Sequence, residues 1–379
     1  MIINANILDG EGCFMNIEHT LSEYGYKKPI YLVDENLFKS SKYVSKVLNN
    51  IADENQLVFY DYLFEPSYQM LDRLMIELNE KKIFTNTDVI VAIGGGSVMD
   101  TAKGLAILAK NKGESINYKG FPIALNEPLP VIAIPSTTGT GSEVVFNASF
   151  IDEDSKVKMG INYNKNYPVL AILDPLIPST APKSVLSSSG CDALVHCLEG
   201  FMSKNSNTHA RYFSKKSYEL IMKNMIPLLE DRGDLSNWIN MQWAAVYAMF
   251  SLSNSTSGPT GALSYYLGTN FKVSHGIAGG VFIGKVTRYN HEKGYMGLSE
   301  LYFGQDDQLL DNETKSEIVV KEINHLLELA SIPETLSIFG VNKNNVQGFN
   351  DFANVAKAAF DFNPVPINTS KVSDLFIIL

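Results

Sequence analysis

The chain has 379 residues, 45% of them hydrophobic and 19% charged, with a formal net charge of −10 at pH 7. That length suits two domains, each able to bury a core, and the composition excludes a disordered chain. The acidic balance and the lack of a Lys/Arg run exclude a surface built for a nucleic-acid backbone.

The chain opens on residues 1–6 with no charged segment leading into an apolar core, so no signal peptide is expected. Residues 29–33, 57–60, 88–93 and 131–134 then read as short apolar strands. Amphipathic segments lie between them, such as 68–82, with Met70, Leu71, Leu74, Met75 and Leu78 on one face. Strands alternating with helices predict an α/β domain with a parallel sheet covered on both faces. Two more strands are expected around 156–161 and 169–173, followed by an inter-domain connection at 174–178. From there helical periodicity dominates, at 193–202, 210–229, 235–252, 316–330 and 350–360. The expected division is therefore an α/β domain, 1–178, and an all-α domain, 179–379. The longest apolar stretch, about 238–252, contains Asn240 and Gln242, is too short to span a bilayer, and reads as a buried helix. The apolar end, 375–379, is expected to dock on the body.

Three cysteines, Cys13, Cys191 and Cys197, are odd in number and form no CxxC. Neither a disulfide framework nor a thiolate zinc site is expected, and a reducing cytoplasm fits.

Gly94-Gly95-Gly96-Ser97 follows the 88–93 strand directly and leads into a helix. Strand, glycines and helix N-terminus together make an anion site, because bare amides and the helix dipole face the ligand. A tight turn without a ligand has the same signature. A second small-polar loop, Pro135-Ser136-Thr137-Thr138-Gly139-Thr140-Gly141-Ser142-Glu143, follows the next strand. Two such loops at the carboxyl edge of a sheet suit a long ligand such as a dinucleotide; the alternative is a plain Ser/Thr-rich surface loop. Asp34 ends the first strand, where an acid accepts hydrogen bonds from a ribose hydroxyl and repels a 2′-phosphate, favouring NAD over NADP. Helix capping is the other role open to it.

Asp192 and His196 are spaced i and i+4 in an apolar helix, which puts both on one face. Burying both polar groups needs compensation, either from a divalent metal or from an Asp–His hydrogen bond in the core.

Gly94 to Lys103, Pro135 to Val144, Asp192-x3-His196 and Ser274-His275-Gly276, in that order, resemble the iron-containing (group III) alcohol dehydrogenases over roughly residues 25 to 290. The resemblance implies a dinucleotide-binding domain, a helical domain, a cleft holding cofactor and metal, and hydride transfer between an alcohol or aldehyde and NAD(P), in a homodimer. It places Gly95, Gly96 and Ser97 at the pyrophosphate, Thr137 and Thr138 along the cofactor, Asp100 near the nicotinamide and Lys158 near the ribose. Asp192, His196 and His275 match three metal ligands, for zinc or iron.

The chain departs from this pattern at two positions. The family's further ligand histidine falls on Gly261, and a second histidine, near substrate and cofactor, falls on Tyr265. Three readings stay open: a three-ligand site completed by water or substrate, a site completed by a residue from elsewhere, or loss of metal. Tyr265 is a candidate to bond the substrate oxygen or relay a proton, or else a packed aromatic. Gly261 is expected to widen the pocket, and with His196-Cys197 it resembles the 3-deoxy-manno-octulosonate 8-oxidase branch, whose substrate is a sugar-like primary alcohol. A dehydroquinate-synthase-like lyase is disfavoured because only Lys204 and Lys272 lie near the site segments. A metal-free binding protein is the remaining alternative. No nucleic acid or membrane partner is expected.

Overall fold

The computed structural model describes residues 6–62, 65–123, 125–231, 233–305 and 308–378. Residues 1–5, on which the expectation about a signal peptide mostly rests, and residue 379 of the apolar end lie outside them. The chain divides into two compact units, one reaching Pro182 and one starting at Lys183.

The first unit holds strands β1 (Ile7–Asp9), β2 (Pro29–Asp34), β3 (Leu57–Tyr60), β4 (Val89–Gly94), β5 (Val131–Pro135), β6 (Asn147–Ala148), β7 (Ile161–Asn162) and β8 (Leu170–Leu173). Its helices are α1 (Ile17–Glu23), α2 (Glu35–Ser40), α3 (Lys42–Ile51), α4 (Tyr68–Glu80) and α5 (Gly96–Leu108). Six strands form one parallel sheet in the order β1-β8-β5-β4-β2-β3. β4 and β5 are buried along their whole length, as strands covered on both faces must be. Alternate residues feed two cores. Ile30, Leu32, Ile90, Ala92, Val131 and Ala133 pack under α4 and α5, whereas Tyr31, Val33, Val91, Ile93, Ile132 and Ile134 pack under α1 and α3.

The chain runs outward from β2 to β3 on one side and from β4 through β5 on the other. β2 and β4 therefore flank the point where strand order reverses, and open α/β sheets bind ligands outside the carboxyl ends of the strands there. Asp34 ends β2 and Gly94 ends β4.

Two local expectations are corrected. The strand expected at 156–161 shrinks to β7. Residues 152–156 instead close a turn, in which the Lys156 amide bonds the Asp152 carbonyl (2.9 Å), the Asp152 carboxylate takes the Asp154 amide (3.1 Å), and Lys156 has a φ of 57°. The connection expected at 174–178 lies within the first unit, which runs to Pro182. Buried Asp174 accepts from the amides of Gly12, Phe14 and Leu176 and from the Tyr43 hydroxyl (2.6 Å), which ties it to the first unit.

The second unit contains α6 (Lys183–Met202), α7 (Thr208–Leu229), α8 (Leu235–Ser253), α9 (Pro259–Phe271), α10 (His275–Glu292), α11 (Asn312–Leu329), α12 (Val346–Val355), α13 (Lys357–Asp361) and α14 (Val372–Phe376). α6 is buried nearly all round, the mark of a central helix. It begins a few turns before the expected start, because its first residues include a run of serines that hides the apolar periodicity. The helix expected over 350–360 is two, broken at Ala356. No helix among the described residues is long and apolar enough to cross a membrane.

Candidate cofactor loops and metal centre

In the first unit, Gly94 is in register with Pro135, so the loops leaving β4 and β5 start side by side. The Ser136 amide bonds the Gly94 carbonyl (2.9 Å). Gly95 is the N-cap of α5 and supplies no side-chain cap. The half-exposed turn Gly95-Gly96-Ser97 therefore presents helix-start amides that no side chain caps, the arrangement that suits a phosphate. The second loop packs onto the first. A Cβ on Gly96 would stand 2.7 Å from Thr140 Cγ2, so a side chain there would displace that loop. Thr137 is half-exposed, whereas Thr138 is fully buried, so only Thr137 turns a side chain outward.

The other cofactor candidates are tied up in other contacts. Asp34 caps α2 through the Leu37 amide (2.9 Å) and is half-buried. Asp100 accepts from Ser142 Oγ (2.5 Å), the Ser149 amide (2.9 Å) and Lys103 Nζ (3.4 Å). It fastens α5 to the 136–144 loop and the chain beyond. Lys158 pairs with Glu65 (2.9 Å). Sequence reading missed Lys103, which is wholly buried and donates to Ser142 Oγ (2.6 Å) and the Asn147 carbonyl (2.9 Å). Burial pulls its pKa down, and Asp100 opposes that. Its i+3 spacing from Asp100 on an apolar helix was the available signal.

In the second unit, α6 and α10 bring three donors together. Asp192 Oδ1 lies 3.6 Å from His196 Nε2 and 3.8 Å from His275 Nε2, and the three ligand atoms all lie within 4.8 Å of one another. Those separations are too long for hydrogen bonds. A tetrahedral zinc with bonds of about 2.0–2.2 Å sets its ligand atoms roughly 3.4 Å apart. The three donors thus converge with Asp192 beyond hydrogen-bond distance of either imidazole, which a hydrogen-bonded Asp–His pair would not show. The other ring nitrogen of His196, Nδ1, is buried and has no hydrogen-bond partner. One carboxylate and two imidazoles form a donor set that fits zinc or ferrous iron. Among the described residues no fourth His, Cys, Asp or Glu joins this group. His19, His291 and His325 face Glu23, Glu317 and Glu328 instead.

α10 reaches Asp192 because Gly276 permits it: a Cβ there would sit 1.8 Å from the Ser188 carbonyl oxygen, one turn before Asp192. The Tyr265 ring stacks on His275, centroids 4.9 Å apart and planes 16° apart. Gly261 does not widen the site as expected. A Cβ there would meet Ser257 Oγ at 2.3 Å and Glu199 Oε2 at 3.1 Å, so that direction is filled. Glu199 was also missed. It lies on α6, three residues beyond His196, and its carboxylate takes the amides that open α9.

Models of known families match both units. The iron-containing alcohol dehydrogenase model matches residues 4–175, and the C-terminal model of the Fe-containing alcohol dehydrogenase family matches 186–377. The chain belongs to the iron-containing alcohol dehydrogenase family. Among curated relatives, alcohol dehydrogenase 4 of Saccharomyces cerevisiae (strain ATCC 204508 / S288c) is 28% identical over 369 residues, covering 96% of this chain and 94% of the relative. The NAD-dependent methanol dehydrogenase of Bacillus methanolicus is 27% identical over 344 residues, covering 89% and 88%. The fold matches the crystal structure of a 1,3-propanediol oxidoreductase with a TM-score of 0.87 at 24% identity, covering 99% and 98%. As an iron-containing alcohol dehydrogenase the chain is an enzyme of the metal-dependent class, acting on an alcohol or aldehyde with a nicotinamide cofactor.

Proposed function

We propose that this enzyme interconverts a primary alcohol and its aldehyde, with NAD as cofactor and one zinc or ferrous ion held by Asp192, His196 and His275. The observation that carries the reading is the convergence of these three side chains, with His196 Nε2 and His275 Nε2 at 3.6 and 3.8 Å from Asp192 Oδ1. When bound, the cation supplies Lewis acidity at the substrate oxygen and the nicotinamide accepts or returns the hydride.

The chain's own residues do the rest. Asp192 brings one negative charge and the two neutral imidazoles none, so a divalent ion in this shell keeps net positive charge for the substrate oxygen. The Tyr265 phenol, stacked on His275, offers a hydroxyl that bonds the substrate oxygen or passes on its proton. The uncapped amides at Gly96 and Ser97 hold the pyrophosphate, with Gly95 allowing its approach and Thr137 beside it. Asp34, at the end of β2, takes a ribose hydroxyl and disfavours a 2′-phosphate. The first unit is then the dinucleotide-binding domain and the second the metal- and substrate-binding domain. We assign Asp100 and Lys103 to holding the cofactor loops. Three free cysteines suit a reducing cytoplasm, and the resemblance supports a homodimer.

The test is the metal content of purified protein, followed by NADH formation from a panel of primary alcohols with and without added Zn²⁺ or Fe²⁺. Turnover that depends on metal and is lost in His275→Ala supports the reading. Protein that takes up no metal and turns over no alcohol overturns it.

A further inference from the structure

Asp192, His196 and Glu199 follow one another at i, i+4 and i+7 on α6, which places all three on one face of that helix. The first two converge with His275. The third is buried, at 4% exposure, and forms no ion pair among the described residues. Its carboxylate instead takes four donors from a single short segment. Oε2 accepts from Ser257 Oγ (2.7 Å) and the Gly258 amide (2.9 Å); Oε1 accepts from the amides of Thr260 (2.7 Å) and Gly261 (3.1 Å). Pro259 has no N–H, so Glu199 takes every backbone donor from 258 to 261. It acts as an N-cap supplied by another helix, with its charge at the positive end of the α9 dipole.

This clamp bears on the metal centre through α9. Tyr265, just over one turn beyond Gly261, stacks on the imidazole of His275. The neighbouring Ser264 lies near Gly279, one turn beyond His275, and Gly279 in turn packs on Val195, next to His196. Helices α6, α9 and α10 therefore meet at Val195, Ser264 and Gly279, which lie next to His196, next to the ring stacked on His275, and one turn beyond His275 itself. The same clamp closes position 261. Ser257, held by Glu199, stands 2.3 Å from where a Cβ would be, and the carboxylate stands 3.1 Å from it. A side chain at 261 must break the Ser257–Glu199 bond before it can extend.

We propose that Glu199 is a positioning residue of the metal centre: by clamping the start of α9 it fixes the three-ligand arrangement and, with Ser257, shuts the position from which a fourth protein ligand would come. This rests on the reading of Asp192, His196 and His275 as ligands. Glu199 itself is not one of the converging donors.

The test uses the full chain, stripped of metal by a chelator and titrated with Zn²⁺ against a chromogenic indicator. Thermal unfolding and NADH binding by fluorescence are measured alongside. Glu199→Gln keeps the shape but turns an amide NH₂ towards the donors. Its zinc affinity is expected to fall about tenfold or more, with NADH affinity within about twofold of the parent. Ser257→Ala removes one of the four donors and leaves the backbone clamp, so it reports even where Glu199→Gln does not fold; its loss is expected to be roughly threefold. Gly261→His is expected to bind zinc no more tightly than the parent.

Zinc affinity unchanged in Ser257→Ala, and in any folded Glu199→Gln, with only the melting temperature lowered, overturns the positioning role. Zinc binding about tenfold tighter in Gly261→His overturns the closure. A parent protein whose zinc uptake His275→Ala does not abolish overturns the ligand assignment, and the positioning role with it. Loss in the Glu199 variant beside intact, His275-dependent uptake in the parent supports both.

Discussion

Gly276 lies against the carbonyl of Ser188 so closely that a Cβ on it would stand 1.8 Å from the oxygen. That approach of α10 to α6 sets His275 beside Asp192, because each ligand is within a turn of the contact. Gly276→Ala must push the helices apart. The expected cost is about 1–3 kcal/mol of stability, as for other overpacked sites, with metal affinity lowered about 10–100-fold because a ligand has moved. Thermal unfolding and zinc titration of the variant check both. A variant that keeps parental metal affinity would show that the helices do not need this contact to align the ligands.

Asp192 supplies the only negative charge among the three converging ligands. Asp192→Asn preserves its size and removes that charge. Metal content at equal chelator concentration should drop, and kcat/KM should drop with it, by about tenfold or more. NADH affinity should hold, because the residues proposed to contact the cofactor belong to the first unit. Atomic absorption beside steady-state kinetics separates these effects.

The Tyr265 ring stacks on His275, and Tyr265→Phe keeps that stack while deleting the hydroxyl. Loss of a proton relay or substrate hydrogen bond should lower kcat by about 10²-fold with zinc content unchanged. A variant as active as the parent would reduce Tyr265 to a packed aromatic.

Much of this arrangement is legible in the sequence because it follows local rules. Apolar runs alternating with amphipathic segments give the parallel sheet. Glycines directly after a strand give the uncapped start of α5, and i, i+4 spacing pairs Asp192 with His196. What stays hidden depends on contacts between distant residues. Nothing near Asp100 announces that Ser142 and the Ser149 amide take up its carboxylate. Nothing near Gly261 shows that Ser257 fills the space beside it, so a glycine that reads as an opening is a closed position. Glu199 reads as one more residue of a buried helix until α9 is seen to begin on it.

Asp34 both caps α2 and ends β2. Substitution by glycine would mix the loss of a cap with the loss of a charge. Asn caps about as well as Asp, so Asp34→Asn isolates the charge. The ratio of kcat/KM for NADP to that for NAD should rise about tenfold, with the melting temperature little changed. An unchanged ratio would remove Asp34 from cofactor selection.

Glu143 is buried in the first unit, and burial pushes its pKa up to about 7 from an ordinary 4.5, against the pull of the Lys103 charge. The folded chain therefore holds this proton more tightly than the unfolded chain. The sign follows from linkage: the contribution of Glu143 to stability is fully present below about pH 4.5 and is lost as pH rises through about 7. The gap between the two values corresponds to roughly 3 kcal/mol, acting against the fold above pH 7. Glu143→Gln keeps the shape without the titration. Its melting temperature should exceed the parent's at pH 8 and match it more closely near pH 5, so that the difference between the two grows with pH. Parallel curves from pH 5 to 8 would mean that Glu143 is ionised throughout, held by Lys103 in an ion pair.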